Sequence, residues 1–279
     1  MMQLIDGKKL ADVKLAQLKK NIEQTKTVPG LGVIMVGNNP ASELYVSLKE
    51  KAAKQVGINF FKKALPADIS EDQLISIIEQ LNQDSSIHGI VVQLPLPEPF
   101  NTENIIKAID LPKDVDGFHS DNLDRYLAGD NEKIPNLLLA IAELIKATDQ
   151  PLKNKKIALL TRRDIYTRSL DHYFTKQGAK PINIDADNTE VIAQSDIIVT
   201  AIGRPNTITG DMIKPGVIII DVGIKKVDGQ TLGDVDYNSV KDKTGWLTPV
   251  PGGVGPMTVA CLLEKVYRFS NNLSSITAL

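Results

Sequence analysis

Short runs of aliphatic and β-branched residues recur along this chain. Each is too brief for a helix, most are closed by turn residues, and a segment of helical length with mixed polarity separates one from the next. Leu31–Val36 ends in Gly37-Asn-Asn-Pro40, Ile58–Ala64 follows, and Gly89–Leu94 ends against Pro95 and Pro97. A second set comprises Lys155–Thr161, Ile182–Asp185, Asp196–Ala201 and Gly216–Ile224. Strand and crossover helix in alternation dictate parallel sheets, which bind ligands beyond the carboxyl ends of their strands. A helix predicted over Asn136–Ala147 divides the two sets. The sequence therefore predicts an α/β protein of two domains: a three-layer α/β domain over residues 1–120 with a C-terminal helix over about 255–279, and a doubly wound domain over 136–254. A chain of 279 residues is long enough for two cores.

Charge and composition exclude several function classes. A net charge of -2 gives no electrostatic case for nucleic acid or an anionic membrane surface. No apolar run of about 18 residues exists to span a bilayer, and the Met-Met-Gln-Leu-Ile-Asp start lacks the apolar core of a secretory leader. The single cysteine, Cys261, cannot form an internal disulfide, and its apolar neighbours place it on a buried helix face. These features read as a cytoplasmic protein, and no metal is expected.

Four segments carry candidate chemistry. Pro40 opens a stretch of good helix formers in which Tyr45 and Lys49, spaced i,i+4, share one face. Read alone, the pair is a solvated helix face; a pocket that lowered the lysine pKa would make it a proton carrier. Gln93 falls at a strand end stiffened by Pro95 and Pro97, either bonded to backbone or held at a pocket floor. Asp116, in Lys113-Asp-Val-Asp-Gly-Phe-His119, is a turn former or a buried carboxylate. Thr248-Pro-Val-Pro-Gly-Gly-Val-Gly-Pro256 is a rigid loop at the start of an apolar helix.

Taken in order, Tyr45-Val-Ser-Leu-Lys49, Val92-Gln-Leu-Pro-Leu-Pro97, Lys113-Asp-Val-Asp-Gly-Phe118, Asp221-Val-Gly-Ile224, Gly233-Asp-Val235 and Thr248–Thr258 resemble the bifunctional methylenetetrahydrofolate dehydrogenase/methenyltetrahydrofolate cyclohydrolase family, from about residue 4 to residue 269. The resemblance implies a homodimeric enzyme of one-carbon metabolism with a Rossmann-like second domain and a folate cleft between the domains. It implies that Lys49 is the catalytic lysine, held by Gln93, that Tyr45 packs on the folate, and that Asp116 grips the pterin. It further implies that Val92, Leu94, Pro95, Pro251, Gly252, Gly253, Gly255, Pro256 and Thr258 line the substrate, that Ile224 lies at the cofactor, and that the cofactor is NADP.

Between residues 161 and 188 the chain departs from that pattern. The family's turn G-[RA]-S-x-x-V-G-x-P is replaced by Thr161-Arg-Arg-Asp-Ile-Tyr-Thr-Arg-Ser169, without either glycine. Side-chain bulk then stands where backbone amides must approach a pyrophosphate. Asp185 and Asp187 stand where the 2′-phosphate of NADP would lie, and repel it. An acid at that distance is also what an NAD ribose uses. Arg162, Arg163 and Arg168 form either a solvated basic turn, the commoner arrangement, or a grip on a phosphate in another geometry. The family's P-C-T-P-x-G segment is likewise altered, to Ile134-Pro-Asn-Leu-Leu-Leu-Ala140. The sequence thus predicts a complete cyclohydrolase site with weak or absent dehydrogenase activity; the alternatives are a fully bifunctional NADP- or NAD-dependent enzyme and a non-catalytic folate-binding paralogue.

Overall fold

The structure, a computed structural model, describes residues 1–273. The chain begins with β1 (Met2–Leu4), α1 (Gly7–Glu23), β2 (Gly30–Val36), α2 (Pro40–Val56), β3 (Asn59–Leu65), α3 (Glu71–Gln83), β4 (Gly89–Val92), α4 (Thr102–Lys107), α5 (Ser120–Leu127) and α6 (Asn136–Lys146). It continues with β5 (Lys156–Thr161), α7 (Asp164–Lys176), β6 (Lys180–Asn183), α8 (Thr189–Gln194), β7 (Ile197–Ala201), β8 (Val217–Asp221), β9 (Lys225–Val227), β10 (Gln230–Leu232), α9 (Tyr237–Val240), β11 (Gly245–Leu247) and α10 (Val254–Ser270). No helix among the described residues is long and apolar enough to cross a membrane.

One compact unit comprises Asp12–Asn136 with α10 from Val259 onward. Its sheet is parallel, ordered β3-β2-β4, with Gly30 to Val36 facing Asn59 to Leu65 on one side and Leu31 to Ile34 facing Gly89 to Val92 on the other. All seven residues of β2 are buried, as a central parallel strand covered on both faces requires. Ile34, Val36, Leu74, Ile78, Ile90 and Ile105 pack into one core. Helix α3 is held by a capping box between Ser70 and Gln73, and its C-terminal carbonyls receive the Lys113 ammonium at Leu81, Asn82 and Asp84. An isolated bridge between Ile90 and Asp114 adds the 113–116 segment beside β4. Gly89 permits that approach, because a Cβ there would lie 2.6 Å from Val115 Cγ1 and 3.0 Å from Val266 Cγ2.

The other unit comprises Met1–Ala11 and Leu137–Thr258. Its six-stranded parallel sheet runs β1-β11-β8-β7-β5-β6, around a core that includes Ala158, Leu160, Ile198, Ile219 and Leu247. Consecutive strands leave β5 in opposite directions, so the sheet is doubly wound with its switch point at the ends of β5 and β7. Residues 1–11, expected with the first domain, stand here instead. Met2–Leu4 pairs with Gly245–Leu247, an edge strand of three residues that leaves no periodic signal in sequence. Strand β4 stops at Val92 rather than Leu94, although Gln93 N still donates to Ile34 O at 2.8 Å. Of the C-terminal helix expected to 279, the part from 274 lies outside the described residues.

Candidate active site

Helix α2 presents the lysine. Asn39 caps it, accepting from Ala41 N and Ser42 N, Pro40 fills its first position, and Gly57 closes it in the left-handed region at φ +88°. Four residues after Tyr45, Lys49 extends to the end of β4, where its Nζ donates to Gln93 Oε1 at 3.0 Å. Gln93 cannot turn its amide around freely, since Nε2 donates to Leu94 O at 2.8 Å. The lysine is therefore offered an oxygen, not an NH₂ group. Burial lowers the Lys49 pKa from the ordinary 10.5, against the opposing charge of Asp116. Burial also raises the Tyr45 hydroxyl above 10.0, so the phenol stays protonated at neutral pH.

Asp116 is built into the loop by its neighbours. Asp114 Oδ1 accepts from Gly117 N and Phe118 N, and its Oδ2 accepts from His119 N and Asn122 Nδ2, at 2.9 to 3.3 Å. Gly117 sits at φ +75°, and a Cβ on it would meet Pro135 Cα at 2.8 Å. The loop is thus pressed against the start of α6, where Asn136 N donates to Asp116 O at 2.9 Å. Burial raises the Asp116 carboxyl above 3.8; Lys49 opposes this most, Asp114 adds to it, and Lys265 and a hydrogen bond from the Asn136 side chain oppose it. A carboxyl balanced in this way is typical of functional sites.

Lys49, Gln93 and Asp116 are brought together within one unit, with Tyr45 one turn earlier on the same helix. Val92 is buried in the core, so only its backbone is available to a ligand, whereas Leu94 and Pro95 lie in the partly exposed exit from the sheet. Pro251 to Thr258 belong to the other unit. There Gly252 O accepts from Lys8 N at 2.8 Å, a Cβ on Gly253 would meet Pro249 O at 2.7 Å, and Thr258 Oγ1 donates to Gly255 O. The sequence reading passed over Asp114, Asn136 and Lys265. Only the aspartate left a signal, as the acid before a glycine turn.

At the switch point of the six-stranded sheet the expected departure from a phosphate cradle is visible. Thr161 Oγ1 and Thr167 Oγ1 touch across the turn, and Thr167 Oγ1 also bonds Arg163 O, so side chains fill the concavity. Arg163 stacks over Tyr166 and Arg168 pairs with Asp164, while Arg162 is exposed. Ile224 is 44% exposed just beyond β8. Behind it, Asp221 accepts from Gly223, Asp234 and Val235 amides, and Asp234 accepts from Thr200, Ile202 and Arg204. The two carboxylates tie three loops together. The turn at 161–169 does not fit a pyrophosphate approached by glycine amides.

Comparison with known proteins bears on both units. The family model described as tetrahydrofolate dehydrogenase/cyclohydrolase, catalytic domain, matches residues 5–116, and its NAD(P)-binding domain model matches residues 135–273. The bifunctional protein FolD of Nautilia profundicola is 38% identical over 98% of this chain and 99% of its own. That of Lactococcus lactis strain IL1403 is 41% identical over 96% of each. Among solved structures, the bifunctional FolD enzyme of Campylobacter jejuni superposes with a TM-score of 0.90 at 36% identity, covering 98% of this chain and 99% of that one. The Trypanosoma brucei enzyme, solved with NADP and an inhibitor, gives 0.91 at 30% identity, covering 99% of each. The expectation that dinucleotide binding, and NADP binding above all, is disfavoured is not borne out by these matches: the NAD(P)-binding domain model covers residues 135–273.

Proposed function

Because the chain belongs to the tetrahydrofolate dehydrogenase/cyclohydrolase family, we propose that it is bifunctional, oxidising 5,10-methylenetetrahydrofolate with NADP or NAD and hydrolysing 5,10-methenyltetrahydrofolate to 10-formyltetrahydrofolate. The observation that carries the hydrolytic half is the Lys49 Nζ to Gln93 Oε1 contact of 3.0 Å, made by a lysine whose pKa burial lowers. Water adds to the cationic methenyl carbon and gives a proton to the Lys49 amine. The resulting hydroxyl proton is lost as the carbon–N5 bond breaks and N5 takes a proton from the Lys49 ammonium, leaving a formyl group on N10 and one proton released overall. Gln93 holds the amine in place through this exchange. Asp116 accepts from the amino-pyrimidine edge of the pterin in paired hydrogen bonds, and Tyr45 packs on the ring system. The folate-binding role of Pro251 to Thr258 is part of the same reading, as are a homodimeric assembly and a cytoplasmic setting.

The oxidative half is supported by the NAD(P)-binding family match over 135–273 and by relatives that are bifunctional by name. A second reading, hydrolysis without oxidation, is favoured by one observation, the Thr161–Thr167 contact that fills the turn. Methenyltetrahydrofolate hydrolysis, followed by loss of its near-ultraviolet absorbance, tests the first half; methylenetetrahydrofolate oxidation with each dinucleotide tests the second. Lys49→Met is expected to bind folate and to lose roughly 10²- to 10⁴-fold in hydrolysis. Retained hydrolysis would refute the lysine assignment.

A further inference from the structure

Lys265 is a second lysine of this site, one that the hydrolytic chemistry does not call on. It projects from α10, is 2% exposed, and its Nζ donates to Ile134 O at 3.0 Å. That carbonyl lies two residues before Asn136, which bonds Asp116 by both backbone and side chain. The Phe269 ring lies 5.9 Å from Lys265 Nζ on one side and 5.5 Å from Lys133 Nζ. An ammonium enclosed in this way is costly to desolvate unless opposite charge compensates it. The compensating charges are Asp114 and Asp116; Lys133 and Cys261 are the other titratable groups that act on it. Burial holds its pKa down at about 8, still high enough for a cation at neutral pH.

The two carboxylates differ in their commitments. Asp114 is engaged by three backbone N–H groups of its own loop and by the Asn122 side-chain amide from α5. Asp116 depends on Lys49, Lys265 and the Asn136 amide. In the hydrolytic cycle Lys49 alternates between ammonium and amine, and each time it is neutral Asp116 loses its larger countercharge and is left with Lys265. A buried carboxyl beside a second carboxylate then takes up a proton and loses acceptor capacity towards the pterin. We propose that Lys265 is a positioning residue, a standing counter-cation that keeps Asp116 ionised and able to hold the pterin while Lys49 is uncharged. This rests on the folate reading above and adds to it a residue that never meets the substrate.

Calorimetric binding of tetrahydrofolate to the full chain tests it, with wild type, Lys49→Met, Lys265→Gln and the double variant. Lys49→Met imitates the neutral amine, and Lys265→Gln keeps a donor for Ile134 O while removing the charge. Lys49→Met is expected to stay within about threefold of wild type at neutral pH, Lys265→Gln to weaken about tenfold and recover as the pH rises, and the double variant to lose more than the product of the two. Wild-type affinity and pH profile in Lys265→Gln would overturn the assignment. Wild type that binds no tetrahydrofolate would overturn the folate reading instead. Should Lys265→Gln fail to fold, Lys49→Met alone decides through the buffer dependence of its binding heat. Release of less than about 0.2 proton per site supports an Asp116 already ionised, and release of about one proton shows a protonated acid and overturns the proposal.

Discussion

At the scale of single residues, the site depends on which polar atom faces which. Gln93 shows the point, since its Nε2 is tied to Leu94 O and its oxygen is thereby given to Lys49. Gln93→Leu is expected to leave folate binding within a few-fold and to cut hydrolysis by roughly 10- to 100-fold, read as a fall in kcat with KM little changed. Asp114→Asn replaces one acceptor oxygen by an NH₂ group amid four donors. At least one buried N–H then loses its partner, for a loss of about 2 kcal/mol or more, measured by denaturant titration. The pH dependence of hydrolysis follows from Lys49. With its pKa depressed below the ordinary 10.5, the amine that accepts the proton from water becomes available at a lower pH than for a solvated lysine. The acid-side limb of kcat against pH should therefore lie well below 10.5, and a limb at the ordinary lysine value would contradict the assignment.

Elements decide whether those atoms meet. Strand β4 can bring Gln93 beside the Asp116 loop because Gly89 lets Val115 and Val266 close over it. Gly89→Ala is expected to cost about 1 to 3 kcal/mol through overpacking, and to weaken tetrahydrofolate binding as the 114–116 segment is pushed aside. Fluorescence-monitored unfolding and a binding titration measure the two effects. Asn39→Ala, at the start of α2, should cost about 1 kcal/mol by removing the cap for Ala41 and Ser42 amides. Helices and buried strands of this kind were legible from sequence, as the runs at Leu31 and Lys155 and the Pro40 start demonstrate. Lys49 on a helix face, Gln93 at a strand end and Asp116 in a glycine turn could be singled out as well, although the roles given to them came from the family resemblance and not from their spacing. Lys265 was not, because an isolated lysine on an apolar helix resembles one that reaches out to water, and only burial distinguishes them. The edge strand β1 and its neighbour β11, three residues each, fall below the length at which periodicity speaks.

For the whole molecule, the open chemical question is whether both activities operate. Titrating NADP and NAD into the purified chain should give saturable binding of at least one, with methylenetetrahydrofolate oxidation alongside hydrolysis, if the bifunctional reading holds. Hydrolysis with neither nucleotide bound favours the single-activity reading. The edge strand has a further consequence, for biosynthesis. Met2 of β1 faces Gly245 of β11, which itself lies between β1 and β8, so β1 must wait for a partner from far along the chain. A ribosome must deliver every segment between Leu4 and Gly245 before that sheet can gain its outer strand. Until then that segment is an unpaired ribbon, open to chaperones and to mispairing with other copies on the same message.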